Sequence, residues 1–370
     1  MRSTSWFSVR SVPVARNRPD RVMSSLPDSH EALLRNRDLL DGSIGLLGVT
    51  DPAVLPLVGS GGLAMSEHAG VYGALSQVSG WQACFGYDDP ALQPGTLDAL
   101  VVFVPKARAE LDLRLALALW LARAGARLIL VGEKKEGIAG AVKQLRARLP
   151  DAGKVDSARH CQVWSAEVAE PAREFTLADW VTWTPIEHGG VSIDVAGMPG
   201  VFSLGELDEG TALLLDTLAR APVTAGQVLD FACGAGVIGS WLQLWQRQSD
   251  QAVSRVDGLD VQSQAVICAR ATYERNGCSG DIRASDGLSG VQGKWPAIVT
   301  NPPFHTGVRT DTSMTEHFLR EVASHLEAGG ELRLVANSFL PYEELIRRHV
   351  GAVERLEQTR RFTVYRAFRR

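Results

Sequence analysis

The chain has 370 residues, which suits two domains of ordinary size, and its apolar content of 45% is typical of a globular protein. No stretch approaches the roughly 18 consecutive apolar residues of a membrane span, so we expect no membrane partner. The net charge of −4 excludes a general electrostatic attraction to nucleic acid. Any contact with RNA must therefore depend on a local basic patch or on contacts that a partner supplies.

The cysteines are scattered, none forms a C-x-x-C pair, and their number is odd: Cys84, Cys161, Cys233, Cys268 and Cys278. This pattern argues against a zinc site and against a disulfide framework. We therefore predict reduced thiols, no bound metal and a cytoplasmic protein.

Residues 1–23 form an Arg-rich segment in which Asp20 is the only acid. An organellar transit peptide has a similar composition, but Pro13 and Pro19 interrupt this segment and it lacks helical amphipathicity. Met23 stands just before sequence with the pattern of a folded domain. We therefore favour a disordered extension, or a start codon assigned too early, over a targeting signal.

Residues 24–165 alternate between short apolar runs and longer amphipathic segments. Buried strands are predicted at 99–104 and 127–131, and helices at 111–123 and 138–149. The helix at 111–123 is apolar but carries Arg114, so we interpret it as a buried core helix. Strands that alternate with helices predict a parallel sheet covered on both faces.

Residues 166–200 interrupt this alternation, and we interpret them as a linker with a hairpin around His188-Gly189-Gly190. Across residues 201–370 the alternation resumes. Strands are predicted there at 227–231, 254–259, 281–284, 297–300 and 331–336, helices at 209–218, 237–247, 263–276, 312–326 and 342–349, and a final strand pair at 353–356 and 361–368. The predicted fold is α/β, with two Rossmann-like, doubly wound, mostly parallel sheets and a terminal antiparallel hairpin.

A glycine-rich turn follows the strand predicted at 227–231, with Gly234, Gly236 and Gly239 in the spacing G-x-G-x-x-G. Glycines let the backbone approach a ligand closely, and the start of a helix offers free N–H groups. Asp260 ends the next predicted strand, where a carboxylate can accept both hydroxyl groups of a ribose. The turn by itself also fits a nicotinamide or flavin site, or a structural turn without a ligand.

Two further acids favour S-adenosylmethionine as the cofactor. Asp230 ends the strand before the glycines, where it would repel a pyrophosphate and attract a cationic methionine amino group. Asp286 follows the third strand of this domain, where it can accept a hydrogen bond from an adenine amine. An ordinary Asp-Gly turn has the same sequence and remains the alternative for Asp286.

The most specific feature is a buried strand that leads into Asn301-Pro302-Pro303-Phe304-His305, at the sheet edge where ligands bind in open α/β folds. The prolines stiffen this loop and remove N–H donors, so the Asn301 side-chain oxygen and the Pro302 carbonyl can both accept from an incoming amine. Two acceptors favour a pyramidal nitrogen with its lone pair aimed at a methyl group, and Phe304 can stack on a base. The motif predicts methylation of a planar exocyclic amine.

The order D-x-x-C-G-x-G, Asp260 and N-P-P-F-H resembles the class I methyltransferases that alkylate planar amines. Further segments, at 154–159, 198–203, 207–208, 329–337 and 339–342, are similar to the bacterial 16S ribosomal RNA guanine-N2 methyltransferases. The resemblance covers roughly residues 28–368 and implies two tandem methyltransferase domains, of which only the second is active. It also implies a monomer that uses S-adenosylmethionine to methylate the guanine usually numbered 1207 of 16S rRNA in the assembled small ribosomal subunit.

The resemblance also implies roles for single residues. It assigns the cofactor's methionine end to Asp230, Cys233, Gly234 and Gly236, its ribose to Asp260 and its adenine to Asp286. It assigns the target amine to Asn301 and Pro302 and base stacking to Phe304, while His305 either touches the substrate or packs. One departure is Ala232, where a glycine is common and where a methyl group would crowd the cofactor slightly.

Other functions remain open alternatives. The same chemistry fits a large-subunit rRNA guanine, an adenine N6 or a protein glutamine, although enzymes of the last group usually have Tyr in place of Phe304. A non-enzymatic assembly factor is opposed by the intact catalytic motif, and a nicotinamide dehydrogenase by the lack of an evident catalytic Lys, Tyr or His set. The arginine-rich C-terminal stretch, with Arg360 and Arg361, is either a solvated face or a phosphate-contacting surface beside the active site.

The first domain has the pattern of a decayed copy of the second, although chance similarity between two α/β domains is the alternative. The segment 127–133 parallels 331–337, and the strand at 99–104 parallels the one before Asn301. At the catalytic position this comparison places Val104, which cannot accept from an amine. Because no glycine-rich turn follows the strand near 44–49, we predict that the first domain binds no cofactor.

Overall fold

The computed structural model describes residues 26–202, 206–303 and 312–370. The predicted extension at 1–23 lies outside these ranges, as do Phe304 and His305. Within them the chain forms two seven-stranded sheets and one separate two-stranded sheet.

The first sheet has the strand order β3-β2-β1-β4-β5-β7-β6. Strands β1 to β5 are parallel, and β7 pairs antiparallel with both β5 and β6. Its strands are β1 (Ile44–Leu47), β2 (Gly62–Ser66), β3 (Trp81–Phe85), β4 (Leu97–Phe103), β5 (Ala122–Glu133), β6 (Gly153–Ala158) and β7 (Cys161–Val168). Its helices are α1 (Asp28–Arg35), α2 (Leu55–Val58), α3 (Ala69–Leu75), α4 (Arg108–Leu121) and α5 (Ile138–Arg148). Because β7 extends to Val168, the first sheet continues past the domain end predicted at 165.

The predicted hairpin is present as β8 (Thr182–His188) and β9 (Val191–Gly197). It packs on the second domain. The Trp241 indole N–H donates to the carbonyl of His188 at 2.9 Å, and the Thr272 hydroxyl accepts from the Ala196 N–H at 3.0 Å. The hairpin is thus an outer layer of the second domain, not a free linker.

The second sheet has the order β12-β11-β10-β13-β14-β16-β15, which is the order of the first sheet position by position. Its strands are β10 (Gln227–Phe231), β11 (Arg255–Asp260), β12 (Ile282–Ala284), β13 (Trp295–Thr300), β14 (Leu326–Asn337), β15 (Val353–Gln358) and β16 (Phe362–Phe368). Its helices are α6 (Glu209–Arg220), α7 (Val237–Gln248), α8 (Ser263–Arg275), α9 (Thr312–His325) and α10 (Tyr342–His349). The predicted doubly wound fold with a terminal antiparallel hairpin is confirmed.

The registers of the two sheets also agree. In the first sheet Ala99 pairs with Arg127, and in the second Ala297 pairs with Glu331, each next to a register shift. In these registers Phe103 pairs with Val131. Phe103 is therefore equivalent to Asn301, the residue that follows Thr300 in the second domain. The sequence-based match of Val104 to Asn301 is therefore wrong by one residue, because sequence similarity alone does not fix the register of a short apolar strand.

The same registers identify the other equivalent positions. Leu46 in β1 corresponds to Asp230 in β10. Leu46 pairs with Val101 in β4, and Asp230 pairs with the equivalent residue of β13, Val299. Ser66, at the end of β2, corresponds to Asp260 at the end of β11, and Tyr87 corresponds to Asp286. The first domain thus has a different residue at each predicted acidic position.

The two domains meet through equivalent loops. The Ala69 N–H donates to the Val261 carbonyl at 2.8 Å, and the Ser263 N–H donates to the Glu67 carbonyl at 2.9 Å. In the shared register of the two sheets, Glu67 is equivalent to Val261 and Ala69 to Ser263. The two bonds flank an isolated antiparallel bridge between His68 and Gln262, themselves equivalent. This reciprocal pairing is what an isologous dimer interface has, here inside one chain.

Candidate functional site

The glycine-rich turn lies where β10 ends and α7 begins. Gly234 has φ +54°, and a side chain there would meet open space, so this face of the turn is free for a ligand. The Gly234 N–H donates to the Asp260 carboxylate at 2.8 Å. The turn and the end of β11 are thereby held together.

Gly236 and Gly239 lack side chains for a different reason. A Cβ on Gly239 would lie 1.8 Å from the Tyr273 hydroxyl, and one on Gly236 would lie 3.2 Å from the Tyr273 ring. These two glycines let α8 pack closely under the turn, which is the role of the third glycine in such turns. Cofactor contact by Gly236 therefore stays a prediction, beside a packing role that the contacts explain.

Asp230 is fully buried, and neither of its carboxylate oxygens is in hydrogen-bonding geometry with a residue that the structure describes. Burial raises the pKa of this carboxyl well above its usual range, the Gly239 N–H opposes the rise, and the nearby Asp260 charge adds to it. A buried carboxyl without a partner is costly unless a ligand supplies a donor or a positive charge. Its position fits a cationic amino group.

Asp260 already accepts two backbone hydrogen bonds, from Gly234 at 2.8 Å and from Gln262 at 3.0 Å, one on each oxygen. A carboxylate has about four acceptor sites, so it can still accept two hydroxyl groups. Burial raises the pKa of Asp260, with these N–H groups opposing the rise. The geometry fits the predicted ribose contact.

The remaining predicted cofactor residues differ in setting. Cys233 is buried in the turn, and burial raises the pKa of its thiol well above the ordinary value, which excludes a reactive thiolate. Asp286 is exposed, and its carboxylate lies against the backbone of Gly70 in the first domain. Ala232 has φ +58°, so the one departure from the family pattern is a non-glycine residue in the left-handed region.

The side chain of Asn301, the predicted catalytic residue, is held by two residues at the start of α6. Its amide nitrogen donates to the Asp208 carboxylate at 3.0 Å and to the Thr211 hydroxyl at 2.9 Å. Because a carboxylate can only accept, the nitrogen must face Asp208, and the amide oxygen is left for an incoming donor. Asp208 also caps α6 by accepting from the Thr211 N–H at 3.0 Å, so the helix start and the catalytic amide share one anchor.

Sequence reasoning did not identify Asp208 and Thr211 as functional residues. They lie 93 and 90 residues before Asn301, and no local pattern connects them. The available signals were the resemblance of segment 207–208 to the family and the order Asp208, Glu209, Thr211 at a predicted helix start, which is typical of an N-cap. A further hydrogen bond, from the Thr300 hydroxyl to the Phe231 carbonyl at 2.7 Å, joins β13, the strand before Asn301, to β10, the strand before the glycine-rich turn.

The two prolines of the catalytic motif are placed differently, with Pro302 buried and Pro303 exposed. The predicted stacking residue Phe304 and the ambiguous His305 lie in the part of the chain that the structure does not describe. Both assignments stay predictions.

Arg361 lies close to Asp208, the residue that binds the Asn301 amide. Its guanidinium pairs with Glu209, the residue after Asp208, and stands 5.3 Å from the centre of the Phe362 ring. Arg360 is exposed and has no ion pair with any described residue. Most other arginines of the C-terminal stretch pair with glutamates, among them Arg347, Arg348, Arg355 and Arg366. These ion pairs therefore neutralise most of the basic stretch, including Arg361, and leave Arg360 without a carboxylate partner among the described residues.

In the first domain, the side chain of Arg114 occupies the space that corresponds to the predicted cofactor turn of the second domain. Its guanidinium donates to Glu67 at 2.7 Å, to the carbonyl of Phe103 and, more weakly, to Glu110 at 3.5 Å. A Cβ on Gly48 would lie 2.1 Å from this guanidinium. Gly48 corresponds to Ala232, so the cation lies against the first domain's counterpart of the cofactor turn.

Two further results concern the described parts of the chain. No group of three or more His, Cys, Asp or Glu side chains in them is arranged to hold a metal ion. No helix among the described residues is both long and apolar enough to cross a membrane.

Comparison with known proteins assigns the family. A model of the methyltransferase small domain matches residues 192–366, and a model of its N-terminal domain matches residues 30–183. A ribosomal RNA small subunit methyltransferase C of Pseudomonas fluorescens is 42% identical over 340 residues, 92% of this chain and 98% of that protein. The chain belongs to the ribosomal RNA small subunit methyltransferase C family. Another member, from Pseudomonas paraeruginosa, is 43% identical over 344 residues, again 92% of this chain and 98% of that protein.

A solved structure from the same family supports the arrangement of both domains. The 16S rRNA N2 G1207 methyltransferase of T. thermophilus, in complex with AdoMet and guanosine, matches with a TM-score of 0.79 at 25% identity. The match covers 93% of this chain and 92% of that one. The predicted family, the methyltransferase class and the two-domain fold are confirmed, and the predicted cofactor is the one that the T. thermophilus relative holds.

Proposed function

We propose that this family member transfers the methyl group of S-adenosylmethionine to the exocyclic N2 of a guanine in 16S rRNA, at position 1207 of the assembled small subunit. The observation that carries the proposal is Asn301, whose amide nitrogen is bound by Asp208 and Thr211 so that its oxygen is left to accept from an amine. The target position rests on the T. thermophilus relative, which is named for G1207.

The residues around the glycine turn fit the cofactor. The unpartnered carboxyl of Asp230 suits the amino group, the open face of Gly234 admits the methionine end, and Asp260 retains acceptor sites for the ribose. Asp286, which is exposed after the third strand of this domain, would accept from the adenine amine. S-adenosylmethionine supplies a methyl group on a positively charged sulfur, and the amine that takes the methyl group sheds one proton.

The chain's own part in the reaction is to orient the amine. The N2 lone pair of guanine is delocalised into the ring, so the free amine is a weak nucleophile. The Asn301 oxygen and the Pro302 carbonyl accept from its two hydrogens and favour a pyramidal nitrogen. Because the proton can leave after the methyl group has moved, no strong general base is required, and these preorganised acceptors carry the catalysis.

The substrate in this proposal is the small ribosomal subunit, and the enzyme acts on it as a monomer in the cytoplasm. Arg360 has no ion pair with a described residue, and Arg361 pairs with Glu209, next to the Asp208 that binds Asn301, on a chain whose net charge is −4. This arrangement suits phosphate contacts near the target base, while contacts elsewhere come from the subunit's own surface.

The test is nucleoside analysis. Small subunits from cells that lack the modification are incubated with enzyme and with S-adenosylmethionine carrying a labelled methyl group. We expect the label in N2-methylguanosine of 16S rRNA, at position 1207 by primer extension, and a strongly reduced rate of labelling with the Asn301→Ala variant. Label in N6-methyladenosine or in protein glutamine, or label in 23S rRNA when large subunits are incubated in the same way, would replace the proposed substrate with one of those alternatives.

A further inference from the structure

Next to Asp286, the second domain lies against the first domain. A Cβ built on Gly70 would lie 1.9 Å from an oxygen of the Asp286 carboxylate and 2.7 Å from its carboxyl carbon. Gly70 is the second residue of α3, and it belongs to the domain that we predict to bind no cofactor. The absence of one side chain in the first domain therefore leaves room for a carboxylate of the second.

The backbone at Gly70 is fixed on both sides. The His68 ring accepts from the N–H groups of Gly70 and Val71 at 3.2 and 3.4 Å. The Ala69 N–H donates to Val261, within the loop that follows Asp260, at 2.8 Å. A side chain added at position 70 would therefore displace the Asp286 side chain and not the first domain's loop.

The approximate symmetry of the interface supplies an internal comparison. Gly70 lies four residues after Ser66, and its counterpart Gln264 lies four residues after Asp260. Gln264 is fully buried, and its side chain crosses to the first domain, where its amide donates to Glu110 at 3.2 Å. At the interface, the Gln264 side chain of the second domain thus helps to fill space in the first domain, whereas Gly70 of the first domain leaves the corresponding space beside the second domain open.

We propose that residues Glu67–Gly70 of the first domain form a wall of the adenine subsite of the second, with Gly70 as the positioning residue that holds the Asp286 carboxylate in place. The inference rests on the proposed function, because it takes Asp286 as the acceptor for an adenine amine. It gives the first domain a direct role in binding the adenosine part of the cofactor.

The experiment is calorimetric titration of the full chain with S-adenosylmethionine. Gly70→Ala should weaken binding roughly tenfold or more, because the displaced carboxylate can no longer make a charge-assisted hydrogen bond to the amine. Gly73→Ala is the matched control, since it makes the same change on the same helix where a Cβ meets open space, and it should leave affinity unchanged. Thermal melting should be no lower for Gly70→Ala than for the wild type, because alanine is favourable in a helix.

A double-mutant cycle separates positioning from general damage. If Gly70 acts through Asp286, then Asp286→Ala and Gly70→Ala weaken binding by a similar factor, and the double variant binds no more weakly than either. Additive effects, or unchanged affinity in Gly70→Ala, would overturn the inference. A wild-type chain that binds no S-adenosylmethionine would instead overturn the proposed function, so the two failures are distinguishable.

Discussion

The two domains share one sheet topology and one register, but different side chains lie at the carboxyl edge of each sheet. In the second domain Asp230 is buried without a partner among the described residues, and Gly234 faces open space. In the first, Leu46 replaces the acid, and the Arg114 guanidinium lies against Gly48 with Glu67 and Tyr87 around it. The comparison teaches that a pocket can disappear while the fold is kept, provided that another group fills the space. Topology therefore does not by itself carry the function.

The largest expected effect concerns this filled pocket. Burial opposes the charge of Arg114, but Glu67, Tyr87 and Glu110 hold the pKa of its guanidinium above the ordinary value. Arg114→Ala leaves two carboxylates buried without their cation, and breaking a buried pair in this way costs about 3–5 kcal/mol. We expect urea unfolding to show a destabilisation of that size. Arg123→Ala, which removes an exposed pair with Asp98, is the control and should cost little.

The same variant tests whether the first domain could bind a cofactor once emptied. Because Leu46, Ser66 and Tyr87 replace the three acids, titration of Arg114→Ala should still give one S-adenosylmethionine per chain. Two bound molecules would mean that Arg114 alone blocks the site.

The next effect concerns catalysis, where Phe103 stands at the position of Asn301. Asn301→Ala should lower turnover roughly 10²-fold or more at unchanged cofactor affinity, because it removes a preorganised acceptor at the reacting amine. Thr211→Val removes one of the two bonds that orient this amide, so it should lower kcat by a smaller factor, with recovery in Thr211→Ser. Normal turnover in Asn301→Ala would show that the residue is structural.

The third effect compares Asp260 with its counterpart Ser66. Asp260→Ala should weaken S-adenosylmethionine binding by about 1.5–3 kcal/mol, because it removes charge-assisted bonds to the ribose. Ser66→Ala, at the equivalent strand end, should leave calorimetric affinity unchanged. Equal affinities for the wild type and Asp260→Ala would remove the ribose assignment.

The pH dependence of binding follows from the same carboxylate. Burial raises the pKa of Asp260, so the charge that accepts the ribose hydroxyls disappears, as the pH falls, at a higher pH than for an ordinary aspartate. Affinity should therefore decline on acidification above the usual aspartate range. Asp260→Asn should show a flatter profile.

The smallest effect concerns RNA. Replacing Arg360 and Arg361 with glutamine should weaken subunit binding and reduce the salt slope by roughly 0.7–0.9 for each phosphate that the variant no longer neutralises. In the first domain Arg159 occupies the corresponding loop and pairs with Glu31 at 2.9 Å, so Arg159→Gln is the control. An unchanged slope in the double variant would favour a merely solvated face.

The sequence predicted the elements of the second domain and the central strands and two longest helices of the first, because buried parallel strands are nearly continuous apolar runs. Strand β10 and helix α10 have the predicted bounds. Residues brought together from distant segments were not predictable. The anchoring of Asn301 by Asp208 and Thr211, and the contact between Gly70 and Asp286, each depend on tertiary packing. Arg114 was placed correctly in a buried helix, but its partners and the pocket it fills have no local signature.

The contact between Gly48 and Arg114 means that single substitutions would not readily produce a cofactor site in the first domain. Any side chain at position 48 would collide with the guanidinium, and removal of the guanidinium alone would leave Glu67 and Glu110 without their cation. An acid restored at position 46 would be buried in an apolar strand with no ligand to compensate it. Each change that leads back toward a cofactor site thus lowers stability before it restores binding.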